Sequence, residues 1–290
     1  MYVTIGIPFY NAEKYLLDAI KSVFAQTHKK WELILIDDGS TDNSLAIAKS
    51  IKDPRVRVYS DGKNLKLAAR LNQITELAKY DYIARMDADD LMSPTRIEKQ
   101  LKILKDYPEI DLVSTGILSI DENLDIIGYR VPNYNYISFE LLLEKKGTGI
   151  VHASILSKKE WYKRNRYDEI LKIAQDYELW LRGSSKNDLN IFLIKEPLYY
   201  YREFNNVNLN KILNAYKNDR QVIKKYAKKH KLKFLIKSYI KTILVYILLK
   251  FGLNKFLLNQ RINSEIPKSI VNTYNENLKQ IKSQIFNKNE

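Results

Sequence analysis

Trp31-Glu32-Leu33-Ile34-Leu35-Ile36-Asp37-Asp38-Gly39-Ser40 sets a nearly unbroken apolar run directly before two carboxylates and a glycine. Such a run reads as a strand buried on both faces, the pattern of a mostly parallel sheet covered by helices. Asp-Asp-Gly-Ser reads as the turn that leaves it. The arrangement recurs at Tyr82 to Asp87, a second apolar run that ends in Asp87-Ala88-Asp89-Asp90. Working outward, strands are also predicted at Tyr2 to Pro8, Val56 to Ser60 and Asp111 to Leu118, with helices at 12–26, 44–51, 65–79 and 94–105. Ser93-Pro94 suits the start of the last helix, since Ser caps free amides and Pro fits the first helical position. From Leu124 to Phe204 the pattern loosens, with strands expected near 124–129, 152–157 and 198–202 and a helix near 176–184. No internal repeat is visible. Alternating β and α elements define an α/β class.

In such sheets the ligand lies beyond the carboxyl ends of the strands. Five carboxylates, Asp37, Asp38, Asp87, Asp89 and Asp90, gather at two of those ends. They repel one another unless something positive sits between them, and a divalent cation with a nucleotide meets that need. The plainer reading, that Asp favours turns and helix caps, accounts for either cluster alone. Other nucleotide motifs are excluded by inspection. Among nine glycines the only Gly-x-Gly is Gly147-Thr148-Gly149, with no third glycine to complete a dinucleotide fingerprint, and Gly62-Lys63 lacks the upstream glycine of a P-loop.

The chain has 290 residues, no cysteine and a formal charge of +14. Thiolate metal sites, disulfides and a Cys nucleophile are thereby excluded. The charge is uneven: positions 207–290 carry 18 Lys and Arg against 4 Asp and Glu, while positions 1–206 balance at 30 and 30. A neutral body over 1–206, regular in its β/α alternation over 1–120 and looser over 121–206, followed by a basic helical segment at 207–290, is the expected division. Met1 leads directly into a strand-like run rather than a secretory leader, so a cytoplasmic location is expected. The longest charge-free apolar run, between Lys241 and Lys250, has eight residues, about 12 Å of helix against a hydrocarbon core of roughly 30 Å. Lys233, Lys237 and Lys241 recur every four residues beside Phe234, Ile236, Ile240, Ile243, Leu244, Ile247 and Leu248. The 233–258 stretch therefore reads as an interfacial helix for an anionic membrane surface, or as a helix packed on the body or on a second subunit with its lysines in water. Its lysines alternate with aliphatic runs rather than aromatics, so no nucleic-acid partner is expected.

Four motifs, in order, carry a family resemblance. Ile5-Gly6-Ile7-Pro8-Phe9-Tyr10-Asn11 with Trp31 to Asp42, then Ala84-Arg85-Met86-Asp87-Ala88-Asp89-Asp90, then Gln175-Asp176-Tyr177-Glu178, then Pro197-Leu198-Tyr199-Tyr200-Tyr201-Arg202 together resemble family 2 glycosyltransferases over about positions 1–204. The resemblance implies a GT-A fold: a Rossmann-like nucleotide-binding sheet with an acceptor-side extension, here followed by the C-terminal helical segment. It implies inverting transfer of a sugar from a nucleotide diphosphate, expected to be a UDP-sugar, to a hydroxyl of a glycan or lipid-linked glycan acceptor. By the same resemblance Pro8, Phe9 and Tyr10 line the base pocket, and Asp38 accepts a hydrogen bond from base or ribose. Asp87, Ala88 and Asp89 hold the donor, with Asp89 on Mn²⁺ or Mg²⁺. Arg70 lies near the diphosphate, and Asp176 is the general base. Asp176 could also cap its helix, and His152 begins a family-like segment but could be structural. Segments 124–150 and 160–175 are expected to frame the acceptor site. Gln175 replaces one acid of the family's paired motif, and Phe204 stands where relatives carry a His. The alternatives are a sugar-nucleotide nucleotidyltransferase, which lacks its Gly-rich triphosphate loop here, and a nucleic-acid-binding protein acting through the basic tail.

Overall fold

The computed structural model describes residues 1–144, 149–171, 173–203, 209–227, 231–251 and 266–285. Four parallel strands form one side of a mixed sheet: β1 (Val3–Phe9), β2 (Trp31–Asp37), β3 (Val56–Ser60) and β4 (Tyr82–Arg85), in the order β3-β2-β1-β4. Register pairs Ile5 with Leu33 on one side and with Ala84 on the other. The sheet continues through β8 (Leu156–Lys158), antiparallel to β4, then β6 (Leu112–Ile120), β9 (Ile191–Arg202) and β5 (Leu91–Met92), while β7 (Ile126–Arg130) pairs with β6.

The apolar strands are buried at every position of β1 and β2 because helices cover both faces. The two-residue period of a strand sorts their side chains. Leu33 and Leu35 join a core with α1 (Leu16–Phe24), α2 (Ser44–Ser50) and α4 (Arg96–Asp106); Ile34 and Ile36 join a second core with α3 (Lys66–Leu77), α6 (Lys159–Arg164) and α7 (Gln175–Ser185). Trp161 and Trp180 stack within the second core, with centroids 5.9 Å apart. Gly6 lets α3 approach β1: a Cβ there would meet Ile74 Cγ2 at 2.5 Å.

Several expected boundaries move. Strand β4 ends at Arg85, so Asp87 stands in the loop beyond it. Helix α4 starts at Arg96 behind Thr95, not at Ser93-Pro94, because the Ser93 carbonyl is held by Gln26 Nε2 at 2.8 Å. Residues His152–Ser154 form a 3-10 turn instead of strand. Strand β9 begins at Ile191, well before the expected Leu198, and runs through Pro197 by a register shift opposite Gly116. That is the kind of irregularity at which a sheet tolerates proline.

Beyond β9, α8 (Leu209–Tyr226) and α9 (Lys231–Lys250) pack on each other, and Val222, Ile223 and Phe234 join the second core, to which α5 (Phe139–Glu144) also contributes. The last described helix, α10 (Lys268–Lys282), returns to the body. Tyr274 donates to the Leu124 carbonyl at 2.7 Å, Asn277 Nδ2 donates to Tyr200 Oη at 2.7 Å, and Tyr274 and Ile281 are buried in a third core with Tyr200. The charge changes at position 207, and α10, beyond that point in the chain, packs against the body. Among the described residues no helix is long and apolar enough to cross a membrane.

Gly6→Ala is expected to destabilise by about 1–3 kcal/mol through overpacking, read from urea unfolding. Ile74→Val in the same chain should recover part of that loss, whereas an additive double variant would show that Ile74 is not the obstacle.

Candidate active site

The loops leaving β1 and β4 enclose an open cleft of about 390 Å³, lined by Pro8, Phe9, Tyr10, Asn11, Ala12, Tyr15, Asp87, Ala88 and Asp89. Six of the residues singled out from sequence, Pro8, Phe9, Tyr10, Asp87, Ala88 and Asp89, thus meet in one place. The wall that carries Tyr10 is shaped locally. Asn11 adopts the left-handed region at φ 48°, which Asn tolerates better than most residues. Its Oδ1 accepts from the Thr41 amide at 2.8 Å, and Ser44 Oγ accepts from the Ala12 amide at 2.7 Å. The loop after β1 is therefore pinned to the loop after β2. The Asp38 amide, donating to the Phe9 carbonyl at 2.8 Å, adds a third tie.

Asp37, the last residue of β2, holds the turn that follows with its side chain: it accepts from the Ser40 amide at 2.9 Å and from Ser60 Oγ at 2.8 Å. Asp38 lies just behind the cleft. Its Oδ1 accepts from the Leu65 amide and from Arg70 Nε, both at 2.8 Å, and Oδ2 accepts from the Lys66 amide at 3.1 Å.

Arg70 is the clearest departure from expectation. It is 1% exposed, and every guanidinium nitrogen is engaged: Nε on Asp38, Nη1 on Asp61 and Gln73, Nη2 on Asp61 and the Lys63 carbonyl. A guanidinium has five N–H donors, and all five are committed within the protein. None is left over in this arrangement, and Arg70 is not among the residues that line the cleft. Arg70 instead neutralises Asp38 and closes the 61–66 loop around it. This contact holds the Asp61 carboxyl well below the ordinary range.

The second acidic cluster is handled differently at each position. Arg85 Nη2 binds Asp87 Oδ1 at 2.7 Å. Asp90 is buried and accepts from the Arg202 amide at 2.7 Å; burial, Asp87 and Asp89 push its carboxyl up. Asp89 is gripped by its backbone, its carbonyl accepting from Arg202 Nε at 2.8 Å, while its carboxylate accepts no hydrogen bond from any other described residue. Burial and the neighbouring Asp87 raise its pKa above the usual carboxylate value. Among the described residues there is no group of three His, Cys, Asp or Glu side chains able to hold a metal ion by themselves. A hard cation fits here in a shared manner, on Asp89 with Asp87 beside it and with further oxygens from a bound diphosphate and water. Phe204, where a further ligand was sought, lies outside the described residues.

On the other side of Arg85 stands a second group. Asp176 occupies the first turn of α7, one residue inside it rather than at its cap, which is Ala174 at φ 63°. Its Oδ1 accepts from the Tyr177 amide at 2.8 Å. Tyr167 is an electrostatic neighbour of both Asp176 and Arg85. His152 bonds through Nε2 to Tyr167 Oη at 2.8 Å and meets the edge of Trp180. Burial and Arg85 hold the His152 pKa well below the ordinary value, so it is a neutral packing residue. Arg85 and Arg202 were missed from sequence as partners of the acids. The signal was present in Arg85, two residues before Asp87 at a strand end.

An α/β sheet with a cleft at the carboxyl ends of its first and fourth strands, acids gathered there and an antiparallel extension beyond, has the architecture of the GT-A fold. The model for glycosyl transferase family 2 matches residues 4–165, and the chain belongs to that family. It is 35% identical to the putative glycosyltransferase EpsE of Bacillus subtilis (strain 168) over 208 residues, 69% of this chain and 73% of that one. It is 30% identical to the O-antigen biosynthesis glycosyltransferase WbnJ of Escherichia coli over 234 residues, 78% and 89% of the two chains. The fold resembles that of S. aureus TarS residues 1–349 in complex with UDP, with a TM-score of 0.62 at 18% identity over 82% of this chain and 71% of that one. The protein is a glycosyltransferase.

Arg70→Gln removes the charge that offsets Asp38 and is expected to cost on the order of 3 kcal/mol. The sign of the pH dependence follows from Asp61. Its folded-state pKa is depressed, so the pair's contribution is present above pH about 4 and is lost as pH falls through the folded-state value. Thermal melts should therefore show a shallower acid limb for Arg70→Gln than for the parent; parallel limbs would reject this role.

Proposed function

We propose that the protein transfers a hexose, with inversion, from a UDP-sugar to a hydroxyl of a glycan or lipid-linked glycan during assembly of a cell-surface polysaccharide. The observation that carries this reading is the Asp89 carboxylate, unpartnered among the described residues and placed beside Asp87 in an open cleft. The substrate class in this reading is supported by WbnJ, described as an O-antigen biosynthesis glycosyltransferase, and is in keeping with a fold that in TarS is described with UDP and with UDP-GlcNAc.

Phe9 and Tyr10 offer ring and backbone surface to the base, and the Oδ2 of Asp38 retains acceptor capacity for a base or ribose donor behind them. Arg70 holds Asp38 in orientation through Nε, a positioning role. Asp87, aimed by Arg85, faces the ribose, and Ala88 leaves room above the diphosphate. Mn²⁺ or Mg²⁺ on Asp89, when bound, supplies positive charge at the leaving diphosphate. Asp176 takes the proton from the acceptor hydroxyl as that oxygen bonds to the anomeric carbon. The bond from that carbon to the diphosphate oxygen breaks, and the nucleoside diphosphate leaves with the electron pair. Inversion follows from a single attack on the opposite face. Residues 1–120 form the donor half and 121–206 the acceptor half, with segments 124–150 and 160–175 at the acceptor; 145–148 and 172 lie outside the described residues. The proposed location is cytoplasmic, peripheral on the inner face of the cell membrane, where lipid-linked acceptors are made accessible.

Isothermal titration with UDP is expected to show binding strengthened by Mn²⁺ and lost or made metal-independent in Asp89→Ala. Metal-independent binding of equal strength in both proteins would remove Asp89 from the metal. Because the Asp89 pKa is raised, the metal effect should fade on acidification at a higher pH than for an ordinary carboxylate. Asp176→Asn should retain UDP affinity while transfer falls roughly 10²–10⁴-fold; unchanged turnover would rule out Asp176 as the base.

A further inference from the structure

Helix α9 has two faces with different neighbours. The inner face lies along α8: Phe234 is buried, Arg220 Nη1 donates to Thr242 Oγ1 at 2.7 Å, and the Arg220 guanidinium lies 4.4 Å from the Tyr239 ring centre. The opposite face carries Ile236, Ile240, Ile243, Leu244, Ile247 and Phe251, each between 43% and 73% exposed. Steps of three and four residues place these side chains on one continuous stripe, about 22 Å long from 236 to 251. Exposed apolar stripes of that extent mark a surface that is covered in use. The expected basic stripe starts beside the apolar one at Lys233 and winds away from it: Lys237 and Lys241 border a pocket shared with Glu144 and Asp219, and Lys250 stands near the far end of the apolar stripe.

We infer that this face of α9 seats in the headgroup region of a membrane leaflet containing anionic lipid. The apolar stripe enters the acyl boundary while the flanking lysines meet headgroup phosphates. Charge decides the occupant. From 209 to 251 the chain has twelve Lys and Arg against one acid, Asp219, and that acid is 4% exposed. A second copy of the chain meeting this face would set lysine against lysine with no exposed acid in this stretch to offset them, whereas anionic headgroups complement the rim. A helix that rests on α8 along its length and cannot cross a bilayer is suited to lie in the interfacial plane. The inference gives residues to the membrane location proposed above and does not rest on the transfer chemistry. The 252–258 part of the expected anchor lies outside the described residues.

The test is co-sedimentation of the full chain with vesicles of phosphatidylcholine alone and of phosphatidylcholine with roughly 30% phosphatidylglycerol. Binding should favour the anionic vesicles and weaken as salt rises. Ile243→Glu with Ile247→Glu, both at exposed positions, should lower partitioning at least tenfold, since each replaces apolar surface by a charge at the acyl boundary. Replacing Lys233, Lys237 and Lys241 by Gln should lower it about fivefold per lysine. UDP titration on the same variants should match the parent, which separates failure of this inference from failure of the transferase reading. Absence of vesicle binding, equal binding to neutral vesicles, or no change in the double Glu variant would overturn it. A concentration-dependent dimer abolished by that variant, without vesicle binding, would assign the face to a second copy instead.

Discussion

Negative charge gathered at the ends of β2 and β4, and the buried arginines that offset it, set the terms for the rest of this molecule. Carboxylates brought this close raise one another's pKa and repel unless countercharges are built in. Arg70, Arg85 and Arg202 perform that task, and each also ties a separate piece of chain to the sheet. Arg70 closes the 61–66 loop on Asp38. Arg85 links Asp87 to the Tyr167 side of the fold. Arg202 brings the end of β9 against Asp89 and Asp90, and its guanidinium covers the Tyr15 ring with a centroid distance of 4.2 Å.

One acid escapes this scheme. Asp89 has its backbone fixed and its carboxylate open to the cleft, so the site combines rigid placement with a charge left for a bound group. Neutralising the acids around it sharpens that contrast, because the remaining negative charge is concentrated at the cleft. Preorganisation of this kind depends on the second core as well. Trp161, Trp180, Tyr162 and Tyr167 hold α7 and the 152–154 turn against β4, and Asp176 is carried on that packed unit.

The strands were legible because the sheet is buried on both faces. Trp31–Asp37 and Val56–Ser60 have the same limits in sequence and structure. Legibility failed where polar bonding or irregular pairing replaced hydrophobic period. Gln26 captures the Ser93 carbonyl and delays α4. The register shift at Gly116 carries β9 through Lys195-Glu196-Pro197, which read as a break. In the site, Pro8, Phe9, Tyr10, Asp87 and Asp89 were found by their place after strands. The pairing of Arg70 with Asp38 and Asp61 was not legible, because helical spacing says nothing about which carboxylates a long side chain will reach.

The sequence by itself determined the α/β alternation, the acidic strand ends and the family, since each depends on residue type and local order. The tertiary structure alone decided which acids are neutralised, that α10 belongs to the body, and that the apolar stripe of α9 faces away from α8. Those outcomes turn on contacts between residues distant in the chain, such as Arg70 with Asp38 and Tyr274 with Leu124. Burial and pairing are properties of the assembled core, so they take values only once the chain has closed around it.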